Sequence, residues 1–177
     1  MDLLETPRLL LRPFGPGDAA VVHGVYSDPV VMRYVATGPI KSLAVTERLL
    51  LDYDAHQARH GYSFWAVIEQ ASGSLIGDAG LYRTPSGEVE LGYTLGARWW
   101  GRGYATEAAS RWVACAFGEL GIREVVALAE PANVGSLHVL EKLGMRRDGE
   151  RLAFGRPHAV FRVSRAAAGA PVAGGVG

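Results

Sequence analysis

Three places in the chain hold residues whose type and spacing suit chemistry. The first is Gly101-Arg102-Gly103, which follows Trp99-Trp100 and runs into a segment where Ala105, Ala108, Ala109, Trp112, Ala116 and Leu120 recur at three- and four-residue intervals. That spacing predicts an amphipathic helix entered through a glycine turn. A helix start carries unpaired N–H groups and a partial positive charge, and glycines admit close approach of a large anion. The turn is therefore a candidate cradle for a phosphate or pyrophosphate, although the same letters also spell an ordinary tight turn. It is not a Walker A loop, because the Gly-Lys-Ser/Thr ending is missing. Nor is it a dinucleotide fingerprint, because Thr106 takes the place of the third glycine and the turn lies past mid-chain. The second place is the strand pattern Glu88 to Leu95, whose alternation sets Glu88 and Glu90 on one face and Val89 and Leu91 on the other. Either carboxylate is a candidate general base, and Gly92 in mid-strand marks a bulge or a close approach. The third is Asn133 and Ser136, one helical turn apart at the head of a segment ended by Gly144. They either contact a ligand or cap the helix.

The elements that must position these residues follow in order. Thr6 to Pro13 reads as a first strand, stopped by Pro13 and the Gly15-Pro16-Gly17 turn. Asp18 opens a helix to about Tyr26, Val30 to Tyr34 is a short helical or irregular piece, and Thr37-Gly38-Pro39 is a loop. Ser42 caps a longer helix to about His60, with Leu43, Thr46, Leu50 and Tyr53 marking its buried stripe and Gly61 ending it. Phe64–Glu69, Leu75–Tyr82 and Glu88–Leu95 form an antiparallel meander through the turns Ala71-Ser72-Gly73-Ser74 and Thr84-Pro85-Ser86-Gly87. The glycine turn and its helix then lead to Glu124–Ala129, a short apolar strand suited to burial on both faces after a crossover helix. Arg146–Leu152 and His158–Arg165 supply two last strands. From Ala166 the chain has no charge and no aromatic residue, so the expected organisation is one domain over 1–165 and a disordered tail over 166–177.

The 177 residues suit one core, and 49% apolar with 20% charged residues is ordinary for a globular protein. Zero net charge lends no electrostatic support to a nucleic-acid or anionic-membrane partner. Cys115 is the single cysteine, so no internal disulfide and no Cys-rich zinc site is available. The start has no signal-peptide pattern and no run approaches a membrane span, which makes a cytoplasmic location the expectation.

Glu90-Leu91-Gly92-Tyr93, followed by Trp99-Trp100-Gly101-Arg102-Gly103-Tyr104-Ala105-Thr106-Glu107-Ala108, resembles the acyl-CoA loop of the GNAT superfamily of N-acetyltransferases. More narrowly it resembles the RimJ/RimL branch, which acetylates protein N-termini. The phase that fits is Trp100-Gly101-Arg102-Gly103-Tyr104-Ala105, with Trp100 where most members carry Gln or Arg. A second motif, Asn133-x-x-Ser136 and then Glu141-Lys142-Leu143-Gly144-Met145, resembles the family's segment after its fifth strand, with Met145 in place of Phe or Tyr. The Thr6–Pro13 opening is also similar to RimJ/RimL-like chains. The likeness covers nearly all of the chain except the tail.

The resemblance implies an α/β (α+β) fold: a mixed, mostly antiparallel sheet of six or seven strands, flanked by about four helices and splayed between strands four and five. It implies acetyl-CoA as cosubstrate, no metal, and transfer to a primary amine in a ternary complex. Backbone N–H groups from Gly101 through Arg102, Gly103, Tyr104, Ala105 and Thr106 would hold the pyrophosphate, with Trp100 opening the loop and the Arg102 side chain adding charge. The backbone of Leu95, Gly96 and Ala97 would pair with the pantetheine, and a Leu95 or Gly96 N–H would face the thioester oxygen. Glu90 would be the base, directly or through water. Asn133 would bind a cofactor amide and Ser136 the sulfur. Many relatives place a Tyr four residues beyond Ser136, but Leu140 stands there, so that acid role is vacant or taken over. His23, Tyr34, His56 and His60 lie in the segment that borders the family's acceptor site, facing either substrate or their own packing. The acceptor would be a protein or peptide N-terminal α-amine, or else a small amine such as an aminoglycoside, polyamine or amino acid. A non-catalytic acyl-CoA-binding module is the competing class. Neither a nucleic acid nor a membrane is expected as partner, and the chain would be a monomer or a homodimer.

Overall fold

Eight short runs of β-forming residues pair into one sheet in the computed structural model, which describes residues 3–35 and 38–168. In chain order the elements are β1 (Leu4–Glu5), β2 (Leu9–Arg12), α1 (Asp18–Tyr26), α2 (Leu43–His60), β3 (Phe64–Glu69), β4 (Ser74–Arg83), β5 (Val89–Leu95), α3 (Tyr104–Gly118), β6 (Glu124–Ala129), α4 (Val134–Lys142), β7 (Arg146–Ala153), β8 (Arg156–Ser164) and a closing turn, α5 (Arg165–Ala168). Single 3-10 turns occupy Val31–Tyr34 and Ala97–Trp99. The sheet runs β1-β2-β3-β4-β5-β6-β8-β7. Every neighbouring pair is antiparallel except β5 and β6, which run parallel and share a single register pair, Glu90 with Val126. Crossover α3 is what lets two parallel strands follow one another.

Eight strands replace the six or seven expected. The additional one forms because Leu4 and Glu5 fold back onto Leu11 and Leu10, while the Thr6 N–H donates to Leu9 O at 3.0 Å and turns the chain between them. The closing helical turn carries regular structure past residue 165, to Ala168; the remainder of the expected tail, 169–177, lies outside the described residues. The same holds for Thr37 of the expected loop.

Alternation assigns the two faces of the sheet. Trp65, Ala79, Leu81, Leu91, Leu95, Val125, Ala127, Phe161 and Val163 pack against Ala108, Ala109, Trp112 and Ala116 of α3. Trp65 and Trp112 meet edge to face at 4.9 Å and are fully buried, so Trp65 belongs to the core. The opposite face is covered by α1, α2 and the segment between them through Val22, Tyr26, Met32, Ile40 and Leu50. The expected stripe of α2 is corrected at its start. Leu43, the first helical residue, is exposed, whereas Thr46 is buried and its hydroxyl lies 2.8 Å from His23 Nδ1. His56 is also part of this packing. Its Nδ1 meets Tyr62 O at 2.8 Å, the Arg83 N–H donates to its Nε2 at 3.0 Å, and its ring stacks on Tyr82 at 3.9 Å. Burial keeps that imidazole below its usual pKa, in keeping with an acceptor role at Nε2.

Beneath α1 lies one buried carboxyl, Asp78, which accepts hydrogen bonds from the Tyr26 hydroxyl and from Thr94. Burial raises its pKa to about 6 against those bonds. The folded protein therefore keeps a proton that the unfolded chain loses at lower pH, and stability falls as pH rises from the unfolded value toward the folded one. Asp78→Asn removes this titration. Measured by thermal denaturation, the stability of the variant relative to wild type should improve by about 1 kcal/mol between about pH 5 and about pH 7.5.

Candidate active site

The site begins where β5 and β6 part. Beyond Glu90 and Val126 the two strands share no further register pair, so β5 offers a free backbone edge toward β6. On its other edge β5 is in register with β4 from Val89 to Leu95, and the Gly96 N–H donates to Ile76 O at 2.9 Å. Ladder alternation then turns the Leu95 N–H toward the gap. This separates two residues that sequence reasoning treated together, because the Gly96 N–H is spent inside the sheet and only that of Leu95 faces the opening. Ala97 lies past the strand end: it starts a 3-10 turn, and its carbonyl accepts from the Trp100 N–H at 3.1 Å. The Trp100 indole donates to Leu95 O at 2.7 Å, which ties the loop to the strand end.

The glycine turn has the geometry its letters suggest. Gly101 and Gly103 take φ of 72° and 80°, the left-handed conformation open to glycine. Gly103 caps α3 without any side-chain hydrogen bond, and the first helical bond runs from the Glu107 N–H to Gly103 O at 3.0 Å. The N–H groups of Tyr104, Ala105 and Thr106 are therefore first-turn donors without helical partners. A Cβ built at Gly101 meets nothing within 4 Å. An uncapped helix start behind two left-handed glycines fits a pyrophosphate. The Arg102 side chain lies over the Trp99 ring at 5.3 Å, with Arg98 at 5.1 Å from the same ring.

Glu107, which the sequence reading quoted only as part of a motif and gave no role, holds this loop in place. Its carboxylate accepts from Thr6 Oγ1 at 2.6 Å, from the Arg8 N–H at 2.9 Å and from Arg8 Nε at 2.7 Å. Burial pushes the carboxyl up, but these hydrogen bonds outweigh it and leave it below the usual range. Arg8 also donates to Arg102 O at 2.9 Å and covers the Tyr104 ring at 4.5 Å, while the Tyr104 hydroxyl reaches Glu69 at 3.2 Å. The only sequence signal for Glu107 was an acidic residue in a first helical turn.

The two candidate bases are separated by their partners. Glu88 pairs with Arg151 at 2.7 Å and Arg162 at 2.8 Å, which lowers its carboxyl to about 2. Glu90 is half-buried, and desolvation raises its pKa; Arg151 and His158 pull it down and Glu88 pushes it up. The two neighbouring carboxyls are thus pushed in opposite directions. Glu90 shares its face with Gly92, where an added Cβ would stand 2.8 Å from the Phe64 ring. The close approach expected at Gly92 is thus made by Phe64, which stacks on Tyr82 at 6.0 Å. Above this face Arg156 pairs with Glu130 at 2.6 Å and donates to Arg33 O and Val35 O, joining the β7–β8 hairpin to the segment after α1. His158 is buried beneath it, its Nδ1 2.9 Å from Arg156 O. His60 lies ring to ring with His56 at 4.5 Å and Tyr34 sits against Arg33 at 5.3 Å.

On the other side of the gap, Asn133 Oδ1 accepts from the Ser136 N–H at 3.2 Å, so Asn133 caps α4. Ser136 Oγ lies 2.9 Å from the hydroxyl of Tyr93, a residue sequence reasoning quoted only as part of a motif. Alternation could have flagged it, since Tyr93 shares the face of Leu91 and Leu95, toward α3 and α4. Cys115 is buried and its thiol is pushed up to about 11 by burial, which leaves it inert. Among the described residues no cluster of His, Cys, Asp or Glu suits a metal, and no helix is long and apolar enough to cross a membrane.

A splayed parallel pair, an uncapped helix behind a glycine turn and a polar helix start across the gap are the features that the resemblance to an acyl-CoA-dependent transferase leads one to expect. Residues 8–146 match the model of the acetyltransferase (GNAT) domain, and the chain belongs to that family; it is an acetyl-CoA-dependent N-acetyltransferase. It is 28% identical over 84% of its length to the uncharacterized N-acetyltransferase p20 of Bacillus licheniformis, covering 85% of that protein. An acetyltransferase structure from Agrobacterium tumefaciens superposes with a TM-score of 0.81 at 29% identity, over 92% of this chain and 94% of that one. The fold is shared also with Mycobacterium smegmatis RimJ in complex with CoA-disulfide, at a TM-score of 0.75 and 19% identity over 88% of this chain and 81% of that one.

If the glycine turn is the pyrophosphate cradle, Gly101→Val should weaken CoA binding at least about tenfold by calorimetry, because a β-branched residue cannot hold the left-handed turn. The melting temperature should fall by only a few degrees, since no core contact is lost.

Proposed function

We propose that the chain transfers acetyl from acetyl-CoA to the N-terminal α-amine of a protein or peptide, as the RimJ/RimL branch does. The observation that carries the reading is Glu90, a half-buried carboxylate with a raised pKa, on the α1/α2 face of the sheet at the point where β5 and β6 part. An α-amine has a pKa of about 7.7–8.0, against about 10.4 for a lysine side chain. A carboxylate base suits the former better, because a useful fraction of that amine is already neutral at physiological pH. The motif resemblance and the fold shared with RimJ support the same acceptor class.

In this reading the first-turn N–H groups of α3 hold the pyrophosphate and the free edge of β5 aligns the pantetheine. The Leu95 N–H donates to the oxyanion that develops as the amine attacks. Glu90 takes the amine proton, directly or through water. Ser136 Oγ faces the sulfur. Asn133 keeps the start of α4 in place for it through the cap it makes.

Thiol release with a panel of peptides, free amino acids, polyamines and aminoglycosides tests the acceptor. Release with peptides alone, blocked by prior N-terminal acetylation, is expected; release with small amines alone overturns the peptide assignment. Glu90→Gln should lower kcat about 100-fold without changing CoA affinity, and should remove the acidic limb of the pH–rate profile, which in wild type lies above the ordinary carboxylate range. Unchanged turnover in this variant would take the base role from Glu90.

A further inference from the structure

Aminolysis of a thioester leaves negative charge on sulfur as the C–S bond breaks, and something must face that charge. Leu140, at the position where many relatives carry a phenol, is 1% exposed and packs in the core beneath α4. We propose that Tyr93 of β5 is a positioning residue that orients and polarises Ser136, so that the two hydroxyls together form a hole for the departing thiolate. This inference rests on the acetyl-transfer reading of the site.

The geometry carries it. The Tyr93 hydroxyl lies 2.9 Å from Ser136 Oγ, a contact in which either oxygen can donate, and 3.3 Å from Ser136 O. This contact joins β5 to the first turn of α4 across the gap that opens after Glu90 and Val126. Tyr93 follows Glu90 by three residues, so strand alternation turns the two to opposite faces. The base therefore meets the gap from one face and the hydroxyl pair from the other. That disposition suits a carbonyl carbon attacked on one side and losing its leaving group on the other. The Asn133 cap fixes the backbone of Ser136 and leaves its hydroxyl free to turn.

The pair is a donor of hydrogen bonds rather than a source of protons. Burial pushes the Tyr93 phenol up to about 12, whereas a thiol titrates near about 8.5. A full proton transfer from phenol to thiolate would run uphill. Instead the C–S electron pair moves onto sulfur, Ser136 Oγ–H donates to it, and Tyr93 O–H donates to Ser136 Oγ and strengthens that bond. The amine proton goes to Glu90, and the thiolate collects its own from water after leaving.

The test uses CoA itself and needs no acceptor, so its failure is distinct from failure of the acceptor assignment. The ultraviolet thiolate absorbance of CoA bound to the protein is followed across pH. Hydrogen bonds to the charged form favour it, so the bound thiol in wild type should titrate about one pH unit below free CoA. In Tyr93→Phe and in Ser136→Ala most of that lowering should vanish, and the double variant should match the worse single one, as for residues that act as a unit. With an accepted amine, Tyr93→Phe should lose about tenfold in kcat with less than about a threefold change in KM for acetyl-CoA. A wild-type thiol that titrates at or above free CoA overturns the proposal without any variant. So does a Tyr93→Phe protein that binds CoA and titrates as wild type does, or single effects that simply add.

Discussion

One pair of residues, Glu90 with Val126, is all that joins β5 to β6 in register, and the function depends on that economy. Backbone N–H and C=O groups are obligatory hydrogen-bonding groups. A strand edge left free in the middle of a sheet, unlike one at its rim, cannot be covered by another strand. Here the eight-stranded sheet holds such an edge at its centre, with β4 on one side and β8 beyond β6 on the other keeping both arms rigid. In the proposed reading the ladder is completed by a pantetheine arm, an extended ligand with amides of its own. The gap is held open by what lies at its mouth. Trp100 ties the loop to the end of β5, and Tyr93 reaches across to α4.

The glycine turn supplies donors only while the helix behind it stays in place, and that is a long-range matter. Glu107 takes hydrogen bonds from Thr6 and Arg8, two residues that bracket the turn between β1 and β2. The short first strand, two residues long, is thus tied into the region of the cradle. Arg8 reaches from there to the carbonyl of Arg102 and the ring of Tyr104. Charge-assisted hydrogen bonds of this kind are strong enough to hold a loop that its own glycines would leave free.

Electrostatics then divides the labour of two identical side chains. Glu88 and Glu90 are two residues apart on one face, yet Arg151 and Arg162 take Glu88 into a permanent ion pair and leave Glu90 to desolvation. The same arginines tie β7 and β8 to the residue that precedes β5, so one network both braces the sheet beside the gap and sets the two carboxyls apart, lowering one while burial raises the other.

Local physics was legible in the residues alone. Period-two and period-3.6 patterns, the two left-handed glycines and the polar pair at the head of α4 are written within a few positions of one another, and the elements they predict are the elements present. Asn133 caps, as one of its two readings had it. What the tertiary structure decided are contacts between distant parts of the chain: the clasp of Glu107 with Thr6, 101 positions away, the capture of Glu88 by Arg151 and Arg162, 63 and 74 positions away, and the meeting of Tyr93 with Ser136, 43 positions away. The two-residue β1 and the exposed Leu43 belong to the same class, since neither a lone two-residue strand nor the outermost residue of a stripe is decided by its own neighbours. Periodicity tells a side chain which face it will occupy. Which partner waits there, and therefore its charge and its role, is settled only when the sheet has brought the two ends of the contact together.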